Sequence, residues 1–398
     1  MPAFVPFRAL RYAADDLAAL IAPPYDVLSA AEVDALHASD PHNITRVDVP
    51  AGGDDRYTRA GQLLAGWVED GTLVRDHCPT LTLYRLRFVD AGGADREIVG
   101  VLGALQVLDP GESPDPDHPT PPVLPHERTT AKASTDRLDL TRATRANLSP
   151  IWGLSLAGGL TDRLAAPGEQ VGRVVDGGVE HIVERIVDPA RIDQISQHVA
   201  QAAVLIADGH HRYRVARNYR DEIRSQTGRT DSPAEFTLAF VNELVADQLS
   251  VEAIHRTYAD TDGATLIGRL GARFGLVPMP EPTPRTLTEM VAEGFLTLVT
   301  PDGCFRLTPK PFAFDPVRQL DGLWLEETLP DVRVGYQHGL SETLDAVRTG
   351  EAQAAVLIRP VSVEEIERTA RERLLMPPKS TFFTPKLKTG LLVRPLTD

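Results

Sequence analysis

Short apolar runs alternate with amphipathic segments along most of the chain. Apolar residues within 57–70 recur with helical spacing, whereas 81–89 and 98–108 are β-type runs joined by a polar, glycine-containing segment. These patterns predict a core-facing helix and a β-hairpin with a long loop. A further apolar run at 203–207 predicts a buried strand, and the apolar face that begins at Tyr213 predicts a helix directly after it.

The second half of the chain changes this pattern. Residues 236–242 and 251–255 predict two adjacent strands, after which 261–330 reads as helix, proline-rich break, helix and hairpin. We therefore expect an α/β (or α+β) fold with a mixed sheet. Residues 1–260 would form the α/β core, 261–330 an inserted or second subdomain, and 331–398 a C-terminal segment that returns to the core.

Several prolines between residues 109 and 125 exclude regular structure there. A connection of this length is usually functional or disordered, and a polar set directly after it favours function. This set includes His126, Glu127, Thr129 and Arg137. Thr130 stands where the second histidine of a His-Glu-x-x-His motif would be, which argues against an independent zinc site. A loop that contacts substrate is the remaining interpretation.

Composition limits the classes of function. The 398 residues include 41 Lys and Arg against 56 Asp and Glu, a net charge of −15. This balance argues against nucleic-acid partners and anionic membrane surfaces. Two cysteines far apart in sequence exclude a disulfide framework, and no run approaches the ~20 apolar residues of a membrane span. We expect a soluble, cytoplasmic protein, and its oligomeric state is left open.

The segment from Val204 to Ala216 concentrates the most chemical groups. An apolar strand ends at Asp208, Gly209 forms the turn, and the following helix begins with His210, His211 and Arg212. A helix start directs free N–H groups and a positive dipole end at an anion. Asp208 could accept a proton or hold a metal, and its neighbours could hold phosphate oxygens. The alternative is that Asp208 only caps the helix.

Other polar clusters also lie at the ends of apolar runs, and each could be a turn of no chemical role. These clusters are Tyr25-Asp26, His42-Asn43 with Arg46, and Lys379-Ser380-Thr381 with Lys386. The last set lacks the glycines of a P-loop, so its lysines and hydroxyls would hold phosphate only as point charges and donors. Residues at strand ends can converge on one crevice, and we expect these clusters to share a site.

The chain resembles, over nearly its whole length, the bacterial and archaeal family labelled domain of unknown function 1015. The motifs that carry the resemblance are Ala22-Pro23-Pro24-Tyr25-Asp26-Val27, Asp40-Pro41-His42-Asn43, Pro125-His126-Glu127-x-Thr129, Asp136-Arg137, Asp208-Gly209-His210-His211-Arg212-Tyr213 and Met376-Pro377-Pro378-Lys379-Ser380-Thr381. The chain departs from the family pattern at Ala253-Ile254-His255-Arg256, where Pro-Thr-His-Arg is expected.

The Asp-Gly-His-His-Arg-Tyr segment, with Ala216, also resembles the phosphate-binding box of the ParB and sulfiredoxin superfamily, which includes a free-serine kinase. This resemblance implies a nucleotide-dependent phosphotransferase that uses ATP, ADP or another nucleotide with Mg²⁺ and acts on a small hydroxyl-bearing metabolite. It makes Asp208 the acid near the metal or the substrate hydroxyl, and Asp26 the general base. A phosphatase or phosphohydrolase and a non-catalytic nucleotide-binding regulator remain as alternatives.

The site residues expected from the sequence fall into two groups. The candidate catalytic residues are Asp208, which is also the candidate metal ligand, with His210, His211, Asp26 and Glu127. The candidate nucleotide-binding residues are Gly209, Arg212, Tyr213, His126, Thr129, Arg137, Lys379, Ser380, Thr381 and Lys386.

Overall fold

A computed structural model describes residues 1–14, 16–90, 93–109, 122–127 and 134–397, except for the side chains of 134 and 135. Contacts along the chain divide it into two compact units. Unit 1 comprises Met1–Ser250 and Pro385–Asp398, and unit 2 comprises Val251–Thr384. In sequence, unit 2 is therefore an insertion within unit 1. The finer divisions after residues 260 and 330 stay predictions from the sequence pattern.

Strands and helices are numbered here in chain order across both units. The strands of unit 1 are β1 (Phe4–Val5), β2 (Leu10–Tyr12), β3 (Leu73–Arg75), β4 (Leu81–Val89), β5 (Asp95–Gln106), β6 (Val123–Pro125), β7 (Ala146–Asn147), β8 (Ile151–Ser155), β9 (Glu169–Asp176), β10 (Val179–Ile186), β11 (Val204–Asp208), β12 (Phe236–Glu243) and β21 (Arg394–Pro395). Its helices are α1 (Ala30–Ser39), α2 (Thr45–Asp48), α3 (Arg56–Glu69), α4 (Ser134–Thr144), α5 (Leu160–Leu164), α6 (Pro189–Val199) and α7 (His210–Thr227).

A mixed sheet forms the centre of unit 1. In the described part of the chain its strand order is β6-β11-β8-β12-β5-β4-β10-β9, and β1 pairs with β5 as a ninth strand. Strand β11 is parallel to β6 and antiparallel to β8, so both of its edges are paired. Burial on both faces explains why residues 204–207 are all apolar. The predicted fold class, α/β with a mixed sheet, is confirmed.

The hairpin and the core-facing helix predicted near the N-terminus are also confirmed. Strands β4 and β5 pair antiparallel, and α3 spans most of the expected segment. The prediction that residues 109–125 lack regular structure is wrong for Val123–Pro125, which forms β6 beside β11. Pro125 is tolerated because β6 lies at the edge of the sheet, where its missing N–H breaks no interior ladder. Residues 110–121 lie outside the described part.

Unit 2 contains a second sheet with the order β15-β17-β16-β19-β14-β18. The strands of unit 2 are β13 (Val251–Glu252), β14 (Ile254–Tyr258), β15 (Phe274–Met279), β16 (Leu296–Thr300), β17 (Gly303–Pro309), β18 (Gly335–His338), β19 (Ala354–Leu357) and β20 (Phe382–Phe383). Of these, β13 and β20 pair with each other as a separate two-stranded sheet. The helices of unit 2 are α8 (Gly263–Leu270), α9 (Pro284–Glu293), α10 (Asp321–Thr328), α11 (Leu340–Arg348) and α12 (Val363–Glu372). The β16–β17 hairpin confirms the turn expected across Pro301-Asp302-Gly303.

The expected pairing of 236–242 with 251–255 is wrong. Strand β12 lies in the sheet of unit 1, whereas β13 pairs with β20 and β14 pairs with β18 and β19 in unit 2. Both runs contain buried apolar residues, but an apolar residue does not identify the core that covers it. Across the described ranges, no helix has both the length and the apolar character that a membrane crossing requires.

Gly153 marks a close approach of β8 to β11. A Cβ atom there would lie 2.5 Å from Cγ1 of Val204. We expect Gly153→Ala to lower the free energy of unfolding by about 1–3 kcal/mol through overpacking, as measured by urea unfolding. Gly66→Ala in α3 is the matched control, because a Cβ there would meet nothing within 4 Å. The control should be neutral or slightly stabilising, and equal stabilities of the two variants would contradict the close packing.

Candidate functional site

The carboxylate of Asp208, at the end of β11, is held by two cations. Lys386 Nζ donates to Oδ2 at 3.0 Å, and Arg212 Nη2 lies 3.6 Å from the same oxygen. The Gly209 N–H donates to Oδ1 at 2.7 Å. Burial alone would raise the pKa of Asp208, but Lys386 and Arg212 outweigh burial and hold this pKa below its ordinary value. Asp208 is therefore ionised at neutral pH.

Gly209 sets the direction in which α7 begins. Its φ is 88°, in the left-handed region that favours glycine, and it is the N-cap of α7. A Cβ at this position would lie 3.1 Å from both Arg212 Nε and Ile151 Cγ2. The N-cap residue Gly209 has no side chain that could cap α7, and Asp208 accepts from the N–H of Gly209 itself rather than from an N–H within α7. The geometry therefore does not support the alternative that Asp208 serves only as a helix cap.

Arg212 carries a donor that the protein does not use. Its Nη1 donates to the carbonyl of Pro150, and its side chain is only 11% exposed. Its Nε is buried and has no hydrogen-bond partner in the described part of the chain. Burial lowers the pKa of Arg212, but nearby acids, first Asp208 and then Asp26, outweigh burial and raise it. The result is a fixed cation with a buried N–H that no acceptor in the described ranges satisfies.

A cavity of about 60 Å³ lies beside Arg212. Tyr25, Asp48 and Arg137 line its polar side, and its apolar wall includes Val215 and Tyr219 of α7. Arg137 Nη1 donates to the carbonyl of Asp48 at 2.6 Å and to Oδ1 at 3.3 Å, and its guanidinium lies 4.2 Å from the ring centre of Tyr25. The predicted residues Tyr25 and Arg137 thus share one cavity with Arg212.

His126 and His210 form a buried pair beside the turn. Their ring centres are 4.9 Å apart, and the N–H of His126 lies 3.5 Å from His210 Nε2. His126 Nδ1 donates to the carbonyl of Ile206 at 2.6 Å. Burial lowers the pKa of His126 to about 4 and lowers that of His210 well below its ordinary value. Both imidazoles are therefore neutral at pH 7 and act as hydrogen-bonding groups rather than cations.

Three other predicted residues of unit 1 have different surroundings. His211 Nδ1 accepts a hydrogen bond of 2.9 Å from Nη2 of Arg214, which lies one turn further along α7. Tyr213 lies in the core, where its hydroxyl accepts from the N–H of Leu108 and donates to the Leu108 carbonyl. Glu127 Oε2 lies 3.9 Å from His126 Nε2. Tyr213 therefore anchors α7 to the core in addition to any role in the predicted box.

The remaining predicted residues belong to unit 2 or fall outside the described residues. Lys379, Ser380 and Thr381 belong to unit 2. There the carbonyl of Lys379 accepts from Arg256 Nη1 at 3.0 Å, and Ser380 Oγ donates to the carbonyl of Pro377 at 2.8 Å. Thr129 lies outside the described residues.

Asn43 has a structural role. Its side-chain amide donates to the carbonyls of Ala19 and Ile21, and its Oδ1 accepts from Thr45. Because Asn43 is fully buried, these bonds satisfy groups that water cannot reach. The Asn43 side chain thus fixes the backbone before α2. This role agrees with the alternative that the His42-Asn43 cluster is a structural turn.

The contacts of Asp208 do not fit a resident magnesium ion. Its oxygens face Lys386, Arg212 and a backbone N–H, whereas Mg²⁺ requires oxygen ligands and is repelled by neighbouring cations. Among the residues that the structure describes, no group of three His, Cys, Asp or Glu side chains is placed to hold a metal.

Sequence reasoning missed Asp48. This buried carboxylate ends α2, and burial raises its pKa although Arg137 opposes the shift. Its partner Arg137 follows it by 89 residues. A short Thr-Arg-Val-Asp segment gives no local sign that its acid is buried against a distant guanidinium. Only knowledge of its contact with Arg137 could have identified Asp48, and the periodicity of apolar residues carries no information about such long-range contacts.

The sequence profile of the family described as "Protein of unknown function (DUF1015)" matches residues 4–323. This chain belongs to the DUF1015 family. The match confirms the resemblance inferred from the Pro-Pro-Tyr-Asp, His-Glu and Asp-Gly-His-His-Arg motifs. Among curated proteins, none matches this DUF1015 chain.

Several solved structures are distantly similar to this DUF1015 protein. A conserved hypothetical protein from Pyrococcus furiosus shares 13% identity, with 68% of this chain and 92% of that chain covered and a TM-score of 0.36. Free serine kinase in complex with AMP shares 14% identity, with coverages of 68% and 89% and a TM-score of 0.37. C-terminally truncated SbnI from Staphylococcus aureus shares 13%, with coverages of 74% and 87% and a TM-score of 0.38. TM-scores this low carry no argument about activity.

The buried His126 predicts a pH-dependent stability. The folded pKa of about 4 lies below the unfolded value of ~6.5, so the unfolded chain binds more protons between these limits. The free energy of unfolding therefore decreases as the pH falls from 6.5 toward 4, and His126 contributes up to ~3 kcal/mol of this decrease. In His126→Asn, whose amide can still donate to Ile206, urea unfolding should show a flatter pH profile.

The exposed His77 supplies the control for this measurement. His77→Asn should retain the wild-type dependence of unfolding free energy on pH. Identical slopes for wild type and His126→Asn between pH 6.5 and 4 would show that His126 is not held neutral by burial.

Proposed function

We propose that this protein binds the phosphates of ATP or ADP at the start of α7 and transfers a phosphoryl group to a small hydroxyl-bearing metabolite, such as free serine. The observation that carries the proposal is the buried Nε of Arg212, on the first turn of α7, which has no acceptor among the residues that the structure describes. A buried donor without an acceptor costs about 1–3 kcal/mol, which a phosphate oxygen would recover. A nucleotide substrate also fits the expected cytoplasmic location.

The charges around the turn suit an anion. Lys386 and Arg212 contribute two positive charges, and Asp208 neutralises one of them. The positive end of the α7 dipole adds to the remaining charge. Phosphoryl transfer depends mainly on positioning and on stabilising charge at the phosphate oxygens, and fixed cations with N–H donors supply both.

Asp208 and Asp26 have different proposed roles. A carboxylate whose pKa is held low by two cations is a weak base, so we assign Asp208 to positioning Lys386 and Arg212. Asp26 is exposed on the short 3₁₀ segment Tyr25–Val27, and its charge stabilises the Arg212 cation. Exposure gives Asp26 access to a substrate hydroxyl, which supports its proposed role as the general base.

The histidines would act as neutral groups. The backbone N–H of His126 points at His210 Nε2, which leaves Nδ1 as the protonated nitrogen of His210. This Nδ1–H is a candidate donor to a phosphate oxygen. His211, Glu127, Thr129, Tyr213, Lys379, Ser380 and Thr381 stay predicted contacts. A divalent ion enters the proposal only as a counter-ion carried by the nucleotide.

The direct test is turnover by the purified full chain. ATP or ADP, with and without Mg²⁺, is incubated with a panel of hydroxy amino acids, and mass spectrometry detects phosphorylated product. We expect a product with at least one acceptor and a rise in Tm with nucleotide, because a ligand that binds only the folded state stabilises it. Absence of both product and Tm shift would refute the proposal.

Two alternative outcomes identify other functions at the same turn. Phosphate release from a phospho-amino acid without nucleotide would indicate a phosphohydrolase. Saturable nucleotide binding without turnover of any acceptor would indicate a regulator.

Arg212→Gln tests the donor on which the proposal rests. The variant should weaken ATP or ADP binding at least tenfold by isothermal titration calorimetry, about 1.4 kcal/mol, because a charge-assisted bond to phosphate is lost. Arg217→Gln is the matched control on α7, since Arg217 already pairs with Asp109 at 3.0 Å. Equal affinities for the two variants would exclude Arg212 from the binding site.

A further inference from the structure

A second, larger cavity of about 410 Å³ lies in unit 1 beside α3. We call it the α3 cavity. Small-molecule sites usually enclose roughly 300–1,000 Å³, so its size suits a compact organic ligand. Ala146 lines both this cavity and the cavity beside Arg212, but the residues predicted to bind nucleotide do not line the α3 cavity.

One wall of the α3 cavity is apolar. Leu64, Ala65 and Val68 line it from α3, with Leu10 of β2 beside them. Leu64 is buried, but Val68 is 41% exposed, which is high for a valine that packs on a helix face. An apolar surface that remains open to water gains free energy when an apolar group covers it.

Two arginines, Arg75 and Arg145, also line the α3 cavity, and neither forms an ion pair with any residue that the structure describes. Arg75 Nη2 donates to the carbonyl of Thr397 at 3.2 Å, while its buried Nε has no hydrogen-bond partner in the described part of the chain. Arg145 follows α4 with a φ of 48°, and within the same described ranges it forms no ion pair. Glu69 is the acid that lines the cavity, which leaves an excess of one positive charge.

We propose that the α3 cavity binds a small monocarboxylate with an apolar body. The carboxylate satisfies the Nε of Arg75 and the charge of Arg145, and the body covers Ala65 and Val68. A neutral apolar molecule would leave the buried Nε without an acceptor. A polyanion such as a nucleotide would be repelled by Glu69 and would leave the apolar wall open. This inference is independent of the phosphotransferase proposal.

Octanoate is the probe, measured by isothermal titration calorimetry on the full chain. We expect saturable binding with one site per chain, and at least tenfold weaker binding of octan-1-ol, which has the same chain without the charge. Arg75→Gln should weaken octanoate binding at least tenfold. Arg142→Gln is the matched control, because Arg142 is exposed on α4 and pairs with Glu222. Its affinity should stay within twofold of wild type.

Ala65→Phe provides a second variant in case Arg75→Gln does not fold. Ala65 is exposed on α3, so a larger side chain can fill the cavity without overpacking the core. We expect it to abolish octanoate binding while the thermal unfolding curve is retained. The proposal is overturned if octanoate does not bind wild type, if octan-1-ol binds equally well, or if Ala65→Phe binds octanoate with wild-type affinity.

Discussion

The ionised carboxylate of Asp208 is the contact on which the arrangement of the candidate site depends. It holds the ammonium of Lys386 and the guanidinium of Arg212 next to the positive end of α7. Without this negative charge, two cations and a helix dipole of the same sign would repel one another in a poorly solvated space. With it, the net positive charge is small and fixed in position, which is the condition for selective binding of an anion.

The sheet provides the fixed position. Residues 204–206 of β11 are paired with β6 on one edge and with β8 on the other, and 204–207 are buried, so Asp208 directly follows a firmly held segment. Gly209 turns the chain immediately after this strand, and Tyr213 ties the first turn of α7 to Leu108. The polar side chains of Asp208 and of the first turn of α7 are therefore attached to rigid backbone. They would lose little conformational freedom on binding a ligand.

The local pattern was sufficient to predict part of this arrangement. A buried strand, a glycine and a helix start are encoded within a few residues, so the positions of Asp208 at the strand end and of Arg212 on the first turn of the helix could be predicted from sequence. The pairing of Asp48 with Arg137 could not, because each residue is unremarkable among its own neighbours. The same limit explains why the sequence pattern wrongly predicted that β12 lies beside the strand at 251–255. An apolar run does not identify the core that buries it. Pairing across long separations is decided by topology.

The insertion of unit 2 has a consequence for biosynthesis. Lys386 follows Asp208 by 178 residues, and unit 2 is translated between them. At ribosomal speeds of roughly 5–20 residues per second, a nascent chain waits about 10–35 s between the emergence of the acid and that of its lysine. During that interval β11 and α7 are already synthesised but lack one of their two counter-charges. The turn between β11 and α7 therefore gains its contact with Lys386 late in translation, after the whole inserted unit has left the ribosome.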